Sequence, residues 1–421
     1  MSALTHDKVE RAIRASYVIS FIQGIVAIAL VPRVPELVAQ LNLNFAEWGS
    51  LIGLVSLSSL LPLVLSNRLI LRYGSRRVMA VGGVIFAGSI AFIPWCTSAW
   101  SFAVVAMTQT ISGAAFNNAL QSSVVILQKK LKKTVIGYVH AGWSIGATIS
   151  AAVSGALVAA AVPFKLHFGI AALAAAAAMF TATRFVLDKS NDGRLSEQKH
   201  VEKISWLKTP WYVWLLMAGF ISGAWCEAMM TDWSALFSKN ILQIDNGLAA
   251  IAYAGFSGAM IIGRLSIGRL SRKLHISQLA MIGSIVGLVG LASGVLLGPV
   301  LLKENQTLGM VVVVISWALA GIGSAAMVPS FFSAAGHVRG MNTVQVLSRL
   351  SFFSTFAFMG LKAMVGAVAN VNLQIAMLTP VIAFVIAGIV SAVVAKTSKR
   401  REQEMIEEFP PTGIIPIVAQ N

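Results

Sequence analysis

The sequence predicts an all-α membrane protein: twelve transmembrane helices in two six-helix bundles related by parallel duplication. Three observations lead there. Only 11% of the 421 residues are charged and 57% are hydrophobic, whereas a soluble chain carries about 25% charged residues; mean hydropathy is +0.79. The apolar residues fall in long runs separated by short basic or polar segments. Short motifs recur at matching places in the two halves.

The runs lie at about 15–38, 48–70, 78–95, 101–126, 136–162, 168–187, 211–237, 248–268, 277–298, 308–334, 344–368 and 374–395. Each has the length needed to cross roughly 30 Å of hydrocarbon as a helix. Lipid supplies no hydrogen-bond partners, so helices are the only open-ended spanning solution. The first run follows a charged amphipathic lead, "HDKVERAIR". It is too long for a signal-peptide core and is followed by no small-residue cleavage site, so it is expected to be retained. The longest interior polar stretch, 188–210, is rich in charge and ends in Pro210. It reads as a linker between a bundle at 1–187 and a bundle at 211–396, with a tail at 397–421.

The net charge of +16 is distributed for topology, which argues against nucleic acid. With residue 1 inside, 23 of the 32 Lys and Arg fall in inner segments, and only Arg33, Lys165, Lys239 and Lys303 fall at outer loops. That bias places both termini in the cytoplasm of a cell-membrane protein and sets basic runs such as "KKLKK" against anionic lipid. Cys96 and Cys226 are the only cysteines. They have no metal-ligand spacing and are not expected to pair. No nucleophile elbow, P-loop or zinc-protease motif is present. No enzyme activity, cofactor or metal is expected.

The repeat is short but in register. "FIQG" at 21–24 returns as "FISG" at 220–223, and "NRLILR" at 67–72 is matched by "GRLSRK" at 268–273. Each pair occupies the same span of its half. Six plus six spans in parallel halves is an architecture of secondary transporters, whose substrate site lies between the halves near the midplane.

Six segments carry a resemblance to the major facilitator superfamily, and more narrowly to its YbjJ-like, fucose-permease-like branch. They are "GIVAIALVPRVPEL", "RYGSRRV", "FNNALQSSV", "VHAGWSIG", "CEAMMTDWSALF" and "VPSFFSAAG", in that order. The resemblance implies the major facilitator fold and a small-solute transporter. It also marks Arg72, Gly74, Arg76 and Arg77 as the conserved-type loop after the second span. The chain departs from the pattern in places. Asn117 and Gln121 stand where the branch has Asp and Asn, which removes an acidic group from the fourth span. Asn67 and Leu71 replace the loop motif's Gly and Asp, and Lys362 stands where an apolar residue or Pro is usual.

The polar groups inside the spans are the candidate site. Glu227 sits in an apolar run, where an ionised carboxylate costs about 2.5–3.5 kcal/mol. It avoids that cost by taking a proton, facing water or pairing with a cation. Coupling or substrate contact is one reading, and a structural ion pair with Lys362 is the other. His140 titrates near neutrality, and Ser144 follows it by one turn. Asn117 and Gln121 share a helix face. Gln23 and Trp143 complete the expected substrate site, with Trp225 and Trp317 as further stacking candidates. Trp233 is expected to anchor at the membrane interface. Arg33 and Asp232 each lie nine residues past an equivalent glycine, and are expected to meet as an outer gate. The expected function is a monomeric, proton-coupled secondary transporter of a small polar organic solute, with Glu227 and His140 handling the proton. A proton-driven multidrug exporter and a non-transporting receptor on the same fold remain alternatives.

Overall fold

The structure is a computed structural model, and it describes residues 6–131, 135–187, 209–244, 246–336, 338, 341 and 343–408. Twelve helical segments in them are long and apolar enough to cross a membrane. Spans one to six are Asp7–Gln40, Phe45–Tyr73, Ser75–Trp95, Ala99–Gln128, Val139–Ala159 and Phe164–Thr183. Spans seven to twelve are Trp211–Asn240, Ile251–Leu270, Ile276–Leu296, Gln306–Ala335, Gln345–Val371 and Leu373–Thr397. These bounds lie within a few residues of most of the expected runs. The largest difference is at span one, which begins within the amphipathic lead. The linker expected at 188–210 lies outside the described residues except for its last two.

Span direction defines two ends. The basic end carries the Arg72–Arg77 loop, and the far end carries Arg33. Several spans start on a side-chain cap. Asn44 and Glu47 form a capping box at span two, and Asn305 and Asn372 accept from Leu308 and Ile375 at spans ten and twelve. Such caps satisfy backbone donors that the first helical turn leaves open. At the basic end, Gly74 takes φ of +85° between the helices Leu60–Tyr73 and Ser75–Ser89. Only glycine adopts that conformation without strain.

Breaks fall where proline and serine cluster. Span one is a helix to Ile28, a 3-10 turn at Val31–Arg33, and a second helix from Val34. Pro32 and Pro35 sit in the turn and just after it, and neither can donate to a preceding carbonyl. Span two breaks at Ser58 and Ser59, ahead of Pro62. There the hydroxyls of Ser56, Ser58 and Ser59 donate back to Ile52, Val55 and Ser56 carbonyls at 2.6–2.9 Å, a back-bonding that commonly accompanies a bend in a helix.

The halves pack alike. Span three packs on spans four and six, and its counterpart, span nine, packs on ten and twelve. Within the first half, spans one and five form the tightest backbone contact. Gly142, Gly146, Ser150 and Ser154 recur every four residues. They lie over the carbonyls of Tyr17, Phe21, Ile25 and Ala29, which share the same spacing. A Cβ on Gly146 would lie 2.0 Å from the Phe21 oxygen, and one on Gly24 would lie 2.1 Å from the Trp143 oxygen. Ser150 and Ser154 donate to the Ile25 and Ala29 oxygens, each at 2.7 Å. Small residues let helices approach closely in a solvent where hydrophobicity does not drive them together.

Between the halves, span two meets span eleven and span five meets span eight. Gly49 and Gly366 touch backbone to backbone, and Gly53 lies against the Met359 carbonyl. The Phe45 and Trp233 rings meet edge to face at 6.2 Å. The seam descends to Ser59 and Thr355, 3.4 Å apart, and on the other side to Thr148 and Ser257, 3.0 Å apart. These contacts occupy the far half of the molecule.

Candidate functional site

Below Thr148 and Ser257 the two facing helices carry matched polar positions. On span five, Ser144 and His140 follow at one-turn intervals toward the basic end. On span eight, Arg264 stands seven residues past Ser257, on the same helix face. His140 is exposed and Ser144 is buried. His140 and Arg264 lie about 10–12 Å below the Thr148–Ser257 contact, at 1.5 Å per residue, and within electrostatic reach of each other. On the basic side of that contact His140 and Arg264 are thus accessible.

Glu227 projects into the same level. Its Oε2 accepts from Arg264 Nη2 at 2.9 Å. The pairing follows from helix direction. Side chains tilt toward the N-terminus of their own helix; span seven starts at the basic end and span eight at the far end. Glu227 therefore leans down and Arg264 leans up, closing their difference in depth. Both side chains remain more than a quarter exposed, at 27% and 28%, so the pair borders open space. Thr231, one turn on, donates to the Glu227 carbonyl and contacts the Tyr253 hydroxyl at 3.3 Å.

The other in-span charges are arranged differently from expectation. Lys362 pairs with Asp232 at 2.8 Å, not with Glu227. Both stand in the far half, eight or nine residues from the ends of spans seven and eleven, so their depths match. Arg33 and Asp232 do not meet, although the far end is closed. The 3-10 turn directs Arg33 into its own half, where it is 2% exposed. It pairs with Glu36 at 2.7 Å and donates to the Val162 carbonyl at 2.6 Å and to His167 Nδ1 at 3.2 Å. Its guanidinium also lies 5.1 Å from the centre of the Phe164 ring. These contacts fasten the far end of span one to the start of span six.

Trp233 is fully buried against Phe45 rather than placed at a lipid interface. Trp225 is buried and stacks on Phe358, and Trp317 is buried against Phe237, which leaves neither open for ligand stacking here. Trp143 is half-buried, with its carbonyl against Gly24. Gln23, Asn117 and Gln121 are half-buried. Gln121 Oε1 is enclosed with no hydrogen-bond partner among the described residues, while neighbouring Asn118 donates to Ser66 at 3.1 Å. Of the loop motif, Gly74 makes the turn, and Arg72 stacks on Tyr73 at 5.3 Å. Arg77 is exposed and Arg76 half-buried.

Two further concavities lie away from these charges. One, of about 360 Å³, sits at the far mouth between Pro35, Asn44 and Phe45 of one half and Leu236, Lys239 and Asn370 of the other. The second, of about 560 Å³, is an apolar groove along spans two, three and four, lined by Leu69, Tyr73, Arg77, Val81 and Ile85 among others. Cys96 and Cys226 are free and buried. No cluster of potential metal ligands occurs among the described residues.

Residues 16–346 match the sequence profile of the Major Facilitator Superfamily. The chain belongs to that superfamily. It is 22% identical over 354 residues to an uncharacterised MFS-type transporter of Yersinia pestis, covering 84% of this chain and 87% of the relative. Its fold is similar to that of a bacterial homologue of the human lysosomal transporter Spinster, solved inward-facing and unoccupied. That match has a TM-score of 0.68 and 14% identity, and covers 94% of this chain and 99% of the other. A single-residue mutant of the nucleoside transporter NupG has a similar fold, with a TM-score of 0.68 and 13% identity over 92% of this chain and 99% of its own. The chain is thus a multi-pass membrane transporter of this superfamily.

Sequence reasoning missed Arg264. It lies in "GRLSIGRL" near the basic edge of span eight, where an arginine looks like one more topological charge. The available signal was its distance from the loop: six residues inside Leu270, the end of the span, is deep for a residue that only anchors.

Proposed function

We propose that this transporter carries a small polar organic solute across the cell membrane by alternating access, coupled to protons through Glu227. The basic end faces the cytoplasm on this reading, as the charge bias supports, and the arrangement described here is then open inward. The observation that carries the proposal is the Glu227–Arg264 pair, which is at membrane depth, single-bonded and partly exposed. A carboxylate there must be neutralised by a cation or a proton, and one in contact with open space can exchange the first for the second. His140 faces the same space from the opposite half. Gln23, Asn117, Gln121, Trp143 and Ser144 are the remaining candidates for solute contact. The number of polar side chains in this set favours a polar solute over the wide apolar site of a multidrug exporter.

Purified protein is screened by thermal shift against sugars, nucleosides, polyols and organic acids, since a bound ligand stabilises by mass action. Compounds that stabilise are then tested for counterflow in proteoliposomes. Exchange of labelled ligand, and its accumulation under an imposed inward proton gradient, are expected. Binding without counterflow identifies a receptor and overturns the transport reading. Counterflow that no proton gradient can drive uphill overturns the coupling.

A further inference from the structure

We infer that the solute carries an acidic group, a carboxylate or phosphate, and that this group displaces Glu227 from Arg264. The inference rests on the proposed transport reading and specifies its cargo.

Guanidinium chemistry is the starting point. Arg264 has five N–H donors in a planar fork and does not give up its proton in a protein. One of these donors reaches Glu227, at 2.9 Å, and the side chain is partly exposed to the space between the halves. A permanent cation at this depth is costly unless it is fully engaged. Arg33 shows what full engagement looks like in this same chain: a carboxylate, a carbonyl, an imidazole and an aromatic face, with almost no exposure. Arg264 has the opposite character. Its open donors match the bidentate geometry of a carboxylate or phosphate. His140 stands within electrostatic reach of Arg264 on the facing helix of the other half, so an anion held at Arg264 lies at the level where the two halves face each other. Neutral hydroxyls have no comparable claim on a guanidinium already paired with a carboxylate, because charge-assisted bonds are roughly twice as strong as neutral ones.

The exchange balances. In the empty site Arg264 and Glu227 neutralise each other. When a monoanion takes Arg264, Glu227 is left as an unpaired carboxylate. Among the described residues, no second cation is in contact with Glu227: Tyr253 and Thr231 are neutral, and Asp232 is acidic and already holds Lys362. Glu227 therefore takes one proton from the water in the cavity. The charge of the site is zero before and after, and one proton enters with each monoanion, which is symport.

The test uses the full-length protein in detergent and a yeast extract divided on an anion exchanger into acidic and non-acidic fractions. Stabilisation confined to the acidic fraction is expected, and phosphatase treatment of that fraction separates phosphate from carboxylate cargo. Glu227→Gln keeps the response to the acidic fraction, but its half-maximal concentration no longer changes with pH. The double variant Arg264→Gln with Glu227→Gln removes both charges together, leaves neither one unpaired, and weakens the response at least tenfold. Stabilisation by the non-acidic fraction alone, by neither fraction, or an acidic response that survives in the double variant overturns the inference. Counterflow distinguishes the two levels. A neutral compound that exchanges across the membrane leaves the transport reading standing and removes the anionic cargo. An acidic ligand that binds without flux does the reverse.

Discussion

Arg33 and Arg264 are both guanidiniums within membrane-spanning segments, and their surroundings are opposite. Arg33 is 2% exposed and is held by Glu36, His167 and the Val162 carbonyl, all in its own half. Arg264 is 28% exposed and, among the described residues, makes one bond to one carboxylate. A fully engaged charge fastens helices together, because each of its three nitrogens is committed and any rearrangement strands a buried group. A partly engaged charge at open space can change partners at low cost. On the proposed reading, unfinished coordination, and not membrane depth alone, marks a functional charge.

The largest expected effect breaks the fastened member. Arg33→Ala leaves Glu36, Val162 and His167 without their donor and is predicted to destabilise by about 1–3 kcal/mol, read as a fall in melting temperature and loss of monodisperse protein. The double variant Arg264→Gln with Glu227→Gln removes a partly exposed pair, whose structural value is about 0–1 kcal/mol, and is predicted to melt close to wild type while losing uptake. If both variants unfold alike, the comparison fails.

A second pair of substitutions separates a contact that stays shut from one that must open. Gly146 and Gly49 both lie against a neighbouring backbone. The first is within one half beside the Ser150 and Ser154 hydrogen bonds, and the second is on the seam against Gly366. Gly146→Val is predicted to destabilise by about 1–3 kcal/mol through overpacking. Gly49→Val has an escape, since the halves can part. It is predicted to keep its fold and raise labelling of a cysteine placed at Val38, which is 6% exposed here; Cys96 and Cys226 are removed first. Unchanged labelling with lost stability makes the seam a permanent contact.

The twelve spans were legible because the length of an apolar run is a local property fixed by bilayer thickness. The basic loops were legible for the same reason. Partners were not. Glu227 stood out as an acid in an apolar run, but its cation lies 37 positions away on another helix, and only the antiparallel tilt of the two side chains brings them together. The Arg33–Asp232 expectation used equivalent positions in the repeat and overlooked Glu36, three residues along the same turn. Lys362 was read as an anomaly, and its depth match with Asp232 became visible only once span eleven was placed beside span seven. Trp233 was assigned to the interface from its place in the run, whereas packing of the halves encloses it.

A smaller effect is expected where the seam ends. Thr148→Val removes the hydroxyl contact with Ser257 and is predicted to shift the balance between open ends by about 0.5–1.5 kcal/mol, seen as a modest rise in far-mouth labelling. No change there limits the seam to the span two and span eleven side.

The most direct measurement is proton-driven accumulation by Glu227→Gln in proteoliposomes, set beside solute exchange by the same sample. Glutamine keeps the shape and a hydrogen-bonding oxygen for Arg264 but carries no titratable proton. The account predicts that exchange persists and that accumulation against a gradient is lost. Accumulation that equals wild type would contradict it and move the coupling away from the Glu227–Arg264 pair.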